Sequence, residues 1–136
     1  MLLKILAFIE AVLLALPLSA AARSMRVSYY GGGEKVNSTM ADGKHFTSKD
    51  PSIAASLEYP FGTRLRLHNP ANNHVHNVTV QDCGPYKGNR ELDISKSAAA
   101  ALDFVKKGIA KLEVEVLYQP PRPVTCFRHA AHHKRL

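Results

Sequence analysis

The sequence predicts a small, mainly β domain closed into a barrel. Three observations carry that expectation. Several short stretches alternate apolar and polar residues with period two, turn formers separate them at short intervals, and only two short helices find room between them. The chain is 136 residues long, which sets a prior of one domain.

Residues 26–30 read as a first strand, ended by Gly31-Gly32-Gly33. Residues 34–46 are polar and hold Asn37, Asp42 and Gly43, so they are expected to form a loop. Asp50-Pro51 looks like an N-cap followed by a first helical residue, and predicts a short helix over 51–56. Pro60-Phe61-Gly62-Thr63 predicts a turn. Arg64-Leu65-Arg66-Leu67-His68-Asn69 alternates as a half-buried strand, and Asn72-Asn73 turns the chain. Residues 74–80 then return as the hairpin partner. Asp82 stands at the end of that strand, before a tight Gly84-Pro85 turn and a loop that leads to Asp93. Ser95 is placed to cap a helix over 96–104. In residues 110–117, Leu112, Val114 and Val116 face one way and Lys111, Glu113 and Glu115 the other, which predicts the last strand.

The ends are different in kind. Residues 1–22 carry Lys4, an apolar run over 5–18 and a small-residue stretch at Ala20-Ala21-Ala22. Together these read as a secretory signal, with Glu10 an acid inside the run and a retained membrane anchor as the alternative. Residues 118–136 are Pro- and His-rich and basic, and are expected to form a flexible tail behind a domain at 26–117. The formal net charge is +7. From residue 119 on there are four basic residues and no acid, which leaves about +3 on the rest. An exported basic protein suits a polyanionic surface such as cell wall, membrane or nucleic acid. Export also permits a disulfide between Cys83 and Cys126, with two free thiols as the alternative.

Two carboxylates flanking one loop, Asp82 and Asp93, form the most site-like arrangement in the chain. Tyr29, Tyr30 and Tyr86 offer flat aromatic faces to a ligand or belong to the core. His74 and His76 share one side of a strand, and are expected to be surface residues, not metal ligands. His129, His132 and His133 are expected to lie in a solvated tail, with weak metal binding as the alternative. The sequence holds no phosphate loop, no Cys-x-x-Cys and no acyl-transfer triad.

Taken in order, these motifs resemble the rare lipoprotein A (RlpA) family over residues 27–117. Its members open with a Ser-Trp-Tyr-Gly strand, matched by Ser28-Tyr29-Tyr30-Gly31. Their Thr-Ala-Asn-Gly-Glu-x-Phe is matched, with one residue inserted, by Thr39-Met40-Ala41-Asp42-Gly43-Lys44-His45-Phe46. Leu-Pro-x-Gly-Thr becomes Tyr59-Pro60-Phe61-Gly62-Thr63, and Asn-Asp-Arg-Gly-Pro becomes Gln81-Asp82-Cys83-Gly84-Pro85. Gly-Arg-x-x-Asp-Leu-Ser becomes Asn89-Arg90-Glu91-Leu92-Asp93-Ile94-Ser95.

The resemblance implies a six-stranded double-psi β-barrel with one or two short helices. It implies an exported protein of the periplasm or cell envelope, a lytic transglycosylase that cleaves peptidoglycan strands lacking stem peptides to 1,6-anhydro ends. On that reading Asp82 is catalytic, and Tyr30, Lys44, Tyr86 and Asp93 contact substrate. No cofactor or metal is expected. The expected partners are peptidoglycan glycan strands and envelope or divisome proteins. Nucleic acid is not expected, nor is a stable membrane span once the signal is cleaved. Lys44 stands where the family has a Glu, and Ser56 is the nearest match to a His tied to activity. The alternative is therefore an expansin-like glycan-binding module, impaired in catalysis.

Overall fold

A computed structural model describes residues 22–127. The signal expected at 1–22 lies, except for Ala22, outside the described residues, as do residues 128–136 of the expected tail. The elements in chain order are β1 (Arg23–Tyr30), β2 (Ile53–Ala55), β3 (Arg64–Asn69), β4 (His74–Asp82), β5 (Leu92–Ser95), α1 (Lys96–Ala101) and β6 (Ile109–Tyr118).

The six strands close into one barrel in the order β1-β5-β2-β4-β3-β6. β1 pairs with β5 and β2 with β4 in parallel, while the remaining neighbours are antiparallel. This is the mixed six-stranded barrel that the motif order implies. The β3–β4 hairpin and β6 follow the alternation in the sequence: Leu65, Leu67, Val78, Val80, Leu112 and Val114 point inward and are buried. Met25, Val27, Leu92, Ile94 and Leu102 complete the centre. Leu67 is fully buried there, so Leu67→Ala is expected to cost about 2–5 kcal/mol of stability, read by denaturant unfolding. An unchanged midpoint would mean that this core does not hold the fold.

The structure corrects the sequence reading at four places. The helix expected over 51–56 is strand β2. Asp50 does cap, but it caps a turn: its Oδ1 accepts from the Ser52 N–H at 2.9 Å and from the Ser52 hydroxyl at 2.6 Å. The chain then enters the barrel between β4 and β5. Residues 92–95, read only as an approach to the helix cap, form strand β5. The helix expected over 96–104 ends at Ala101, because Asp103 takes φ 55° and turns the backbone out of the helical path. Its start is as expected, with Ser95 Oγ accepting from the Ala98 N–H at 3.2 Å.

The fourth correction concerns residues 119–127, expected to be part of a flexible tail. They are fastened to the barrel at two points. The Val124 carbonyl accepts from the Phe61 N–H at 2.9 Å, and Cys126 is disulfide-bonded to Cys83, with the Cα atoms 5.8 Å apart.

Candidate active site

Strand register places two carboxylates in one row. Ala55 of β2 pairs with Asp82 of β4 on one side and with Asp93 of β5 on the other, and Asp93 pairs in turn with Ser28 of β1. β2 and β4 shift register between Ala54 and Ala55, and this bulge brings Asp82 to the face of Ala55 and Asp93, so the two acids project together with only a methyl group between them. Two strand spacings set their backbones about 10 Å apart. The face they share opens into a groove of about 1010 Å³. Asp82 and Asp93 line it with Tyr30, Tyr86, Glu34 and the Cys83–Cys126 bridge.

Asp82 is held firmly. Its Oδ1 accepts from the backbone N–H groups of Ala41 and Cys83, each at 2.9 Å. Its Oδ2 accepts from the Tyr30 hydroxyl at 3.4 Å. Burial, and then the charges of Asp82 and Asp93, hold the Tyr30 phenol well above its usual range, so it stays a donor. Tyr30 is itself fixed by stacking on Phe46, with ring centroids 4.5 Å apart. Phe46 packs with Met40 and Ile53 in a small second core that holds the 38–46 loop against the mouth of the barrel. That loop delivers the Ala41 N–H to Asp82.

Asp93 is half-buried. Burial pushes its carboxyl up to about 6, and the charges of Glu34 and Asp82 add to the rise. The Ser28 hydroxyl, which donates to Asp93 Oδ1 at 3.0 Å, and the Arg90 charge offset part of it. Asp93 therefore holds a proton through the mildly acid range.

Of the five site residues expected from sequence, the groove brings together Asp82, Asp93, Tyr30 and Tyr86. Lys44 is exposed on the 38–46 loop and does not line the groove. The cations that do are Lys35, Lys87 and Arg90. Arg90 Nε donates to the Lys87 carbonyl at 3.0 Å and steadies the loop between β4 and β5. Among the described residues, none of the three makes an ion pair. Ser56 is fully buried, and its Oγ accepts from the N–H groups of Glu58 and Tyr59 at 3.1 and 2.9 Å, so it holds a turn. His76 Nε2 lies 2.6 Å from the Pro51 carbonyl, away from the groove.

Sequence reading passed over Glu34. Burial would raise its carboxyl, but bonds from backbone N–H groups outweigh that and lower it. Gly31 and Gly32 donate to its two oxygens at 2.6 and 2.9 Å. An acid directly behind a glycine run at a strand end was the available signal. Gly31 takes φ 82°, and a β-carbon there would lie 2.7 Å from the Ser48 Cβ, so glycine is required.

The chain is a closed double-psi barrel that carries two carboxylates on an open groove. Within it, residues 22–114 match the family described as "Lytic transglycolase", and the chain belongs to that family. It is 34% identical over 90 residues to the endolytic peptidoglycan transglycosylase RlpA of Rickettsia bellii, covering 66% of this chain and 40% of that protein. It is 37% identical over 87 residues to the probable RlpA of Treponema pallidum, covering 64% and 27%. The chain thus spans less than half the length of these curated relatives. Among solved structures, the fold is similar to the Streptomyces papain inhibitor (TM-score 0.57, 14% identity, 74% of this chain and 98% of that one). It is also similar to the expansin of Clavibacter michiganensis (TM-score 0.56, 21% identity, 75% and 53%).

Proposed function

We propose that this chain is an exported lytic transglycosylase acting on peptidoglycan strands that have lost their stem peptides. The observation that carries the reading is the row Ser28–Asp93–Ala55–Asp82, which sets one proton-holding and one firmly oriented carboxyl on the same groove face.

In this mechanism the Asp93 carboxyl protonates the leaving glycosidic oxygen, and the bond from that oxygen to C1 breaks. The Asp82 carboxylate takes the proton from the C6 hydroxyl of the same sugar, whose oxygen closes on C1 to form the 1,6-anhydro ring. No water enters the reaction, and the two acids exchange the proton with solvent to reset. Tyr30 and the two backbone donors hold Asp82 in place as the sugar's ring charge develops.

The groove cations support the choice of substrate. A neutral glycan has no anionic group to match the charges of Lys35, Lys87 and Arg90. A muramyl residue without its stem peptide exposes a lactyl carboxylate, which such cations bind. The disulfide suits an oxidising compartment, consistent with the periplasm or cell envelope. Among the described residues, no helix is long and apolar enough to cross a membrane.

The test is a digest of amidase-treated sacculi with the full chain. Mass spectrometry should find soluble glycans with 1,6-anhydro ends, and Asp82→Asn should reduce their yield at least about ten-fold. One specific observation favours a second reading, a glycan-binding module: Ser56 holds a turn where relatives of the RlpA type have a His, and Lys44 stands outside the groove. Co-sedimentation with sacculi and no soluble product would decide for that module.

A further inference from the structure

We propose that Phe127, directly after the groove-lining Cys126 and outside the groove's present lining, is an aromatic sugar-binding residue that lengthens the glycan groove. The proposal rests on the glycan reading above, and goes beyond the family domain, whose match ends at residue 114.

Cys126 is buried, lines the groove and is bonded to Cys83, the residue next to Asp82. The same Cys83 gives its N–H to Asp82. The segment leading to Cys126 is fixed along its course. Pro120 lies against Gly62, where a β-carbon would meet it at 3.7 Å, and Val124 is hydrogen-bonded to Phe61. The residue after Cys126 is Phe127, 72% exposed. Tyr86, three residues beyond Cys83 and itself lining the groove, is 77% exposed. Two solvent-facing aromatic rings thus lie near the bridge, Phe127 directly after Cys126 and Tyr86 three residues after Cys83.

A single exposed apolar residue is ordinary. What distinguishes Phe127 is its mount, since the ring follows directly on a buried half-cystine in the groove wall. A ring on a fixed backbone loses little freedom on binding, and the C–H face of a pyranose covers it well. A strand seated across Asp82 and Asp93 would meet Tyr86 nearer the centre and Phe127 farther along.

The experiment uses the full chain with Asp93→Asn to prevent cleavage, titrated calorimetrically with amidase-treated glycan strands of tetrasaccharide and octasaccharide length. Phe127→Ala should weaken octasaccharide binding about 5- to 10-fold and leave the tetrasaccharide nearly unchanged. Phe127→Tyr should keep the affinity, and Tyr86→Ala should weaken both lengths. If Tyr86→Ala weakens binding and Phe127→Ala leaves both affinities unchanged, the role given to Phe127 is overturned while the groove stands. If neither length binds the parent chain at all, both readings fall together.

Discussion

Asp93→Asn should remove nearly all lytic activity, and in the same protein raise the unfolding temperature at neutral pH. The activity arm follows from the proposed proton transfer. An amide cannot deliver a proton to the leaving oxygen, and loss of general acid catalysis costs about 10²- to 10⁴-fold. The stability arm follows from burial. The carboxyl has an ordinary value of 3.8 and is pushed up to about 6 in the folded chain. Between those values the folded state holds a proton that the unfolded state has released. Stability therefore falls as pH rises through that window, and the full penalty is present above about 6. It is on the order of 2–3 kcal/mol at about 1.4 kcal/mol per pH unit. Asparagine carries no charge, and its carbonyl still accepts the Ser28 hydroxyl. The gain should therefore appear at pH 7 and vanish at pH 4, as read by thermal unfolding at both. Wild-type turnover should decline above about pH 6, as Asp93 loses its proton. A variant that keeps its activity, or whose unfolding temperature shifts equally at both pH values, would remove Asp93 from the role given to it.

Replacing both Cys83 and Cys126 with serine should lower stability by about 2–4 kcal/mol. The bridge spans 43 residues of sequence and encloses β5, α1 and β6, so removing it frees a long loop in the unfolded chain. The effect should not stop at stability. Cys83 donates to Asp82 and Cys126 lines the groove, so turnover should drop even at temperatures where the variant is fully folded. Treating the native chain with a reductant should reproduce both losses and leave the double variant unaffected. Full activity in a reduced, folded chain would show that the bridge braces the barrel without shaping its site.

The parts of the fold legible in the sequence are those with one wet and one dry face. The β3–β4 hairpin and β6 alternate because one side meets the core and the other meets water. β2 has all three residues buried and β5 three of its four, so neither presents a two-residue rhythm. Asp50-Pro51 then supplied a plausible helix start where a turn was being capped. In the candidate site, Asp82 and Asp93 were legible as two carboxylates flanking one loop and Tyr30 and Tyr86 as exposed or core aromatics, while the bulged register of β2 that brings the two acids into one row was not. Lys44 was assigned by motif position, but the fold of its loop turns it away from the groove, and cations from two other loops stand there. Glu34 was missed although the glycine run before it was a local signal, because its place near Asp93 depends on the pairing of β1 with β5; of the two alternatives open for Cys83 and Cys126, the bridge is the one formed.

That closure also limits how the chain meets other proteins. Every strand has a neighbour on both sides, so unpaired backbone edges are confined to strand ends that outrun their neighbours, such as residues 74–78 of β4 beyond the short β2. A partner protein finds backbone to pair with only at such ends, and elsewhere has to grip loops and side chains. Such contacts can be changed one residue at a time, without disturbing the hydrogen-bonded ring that holds the two acids in place.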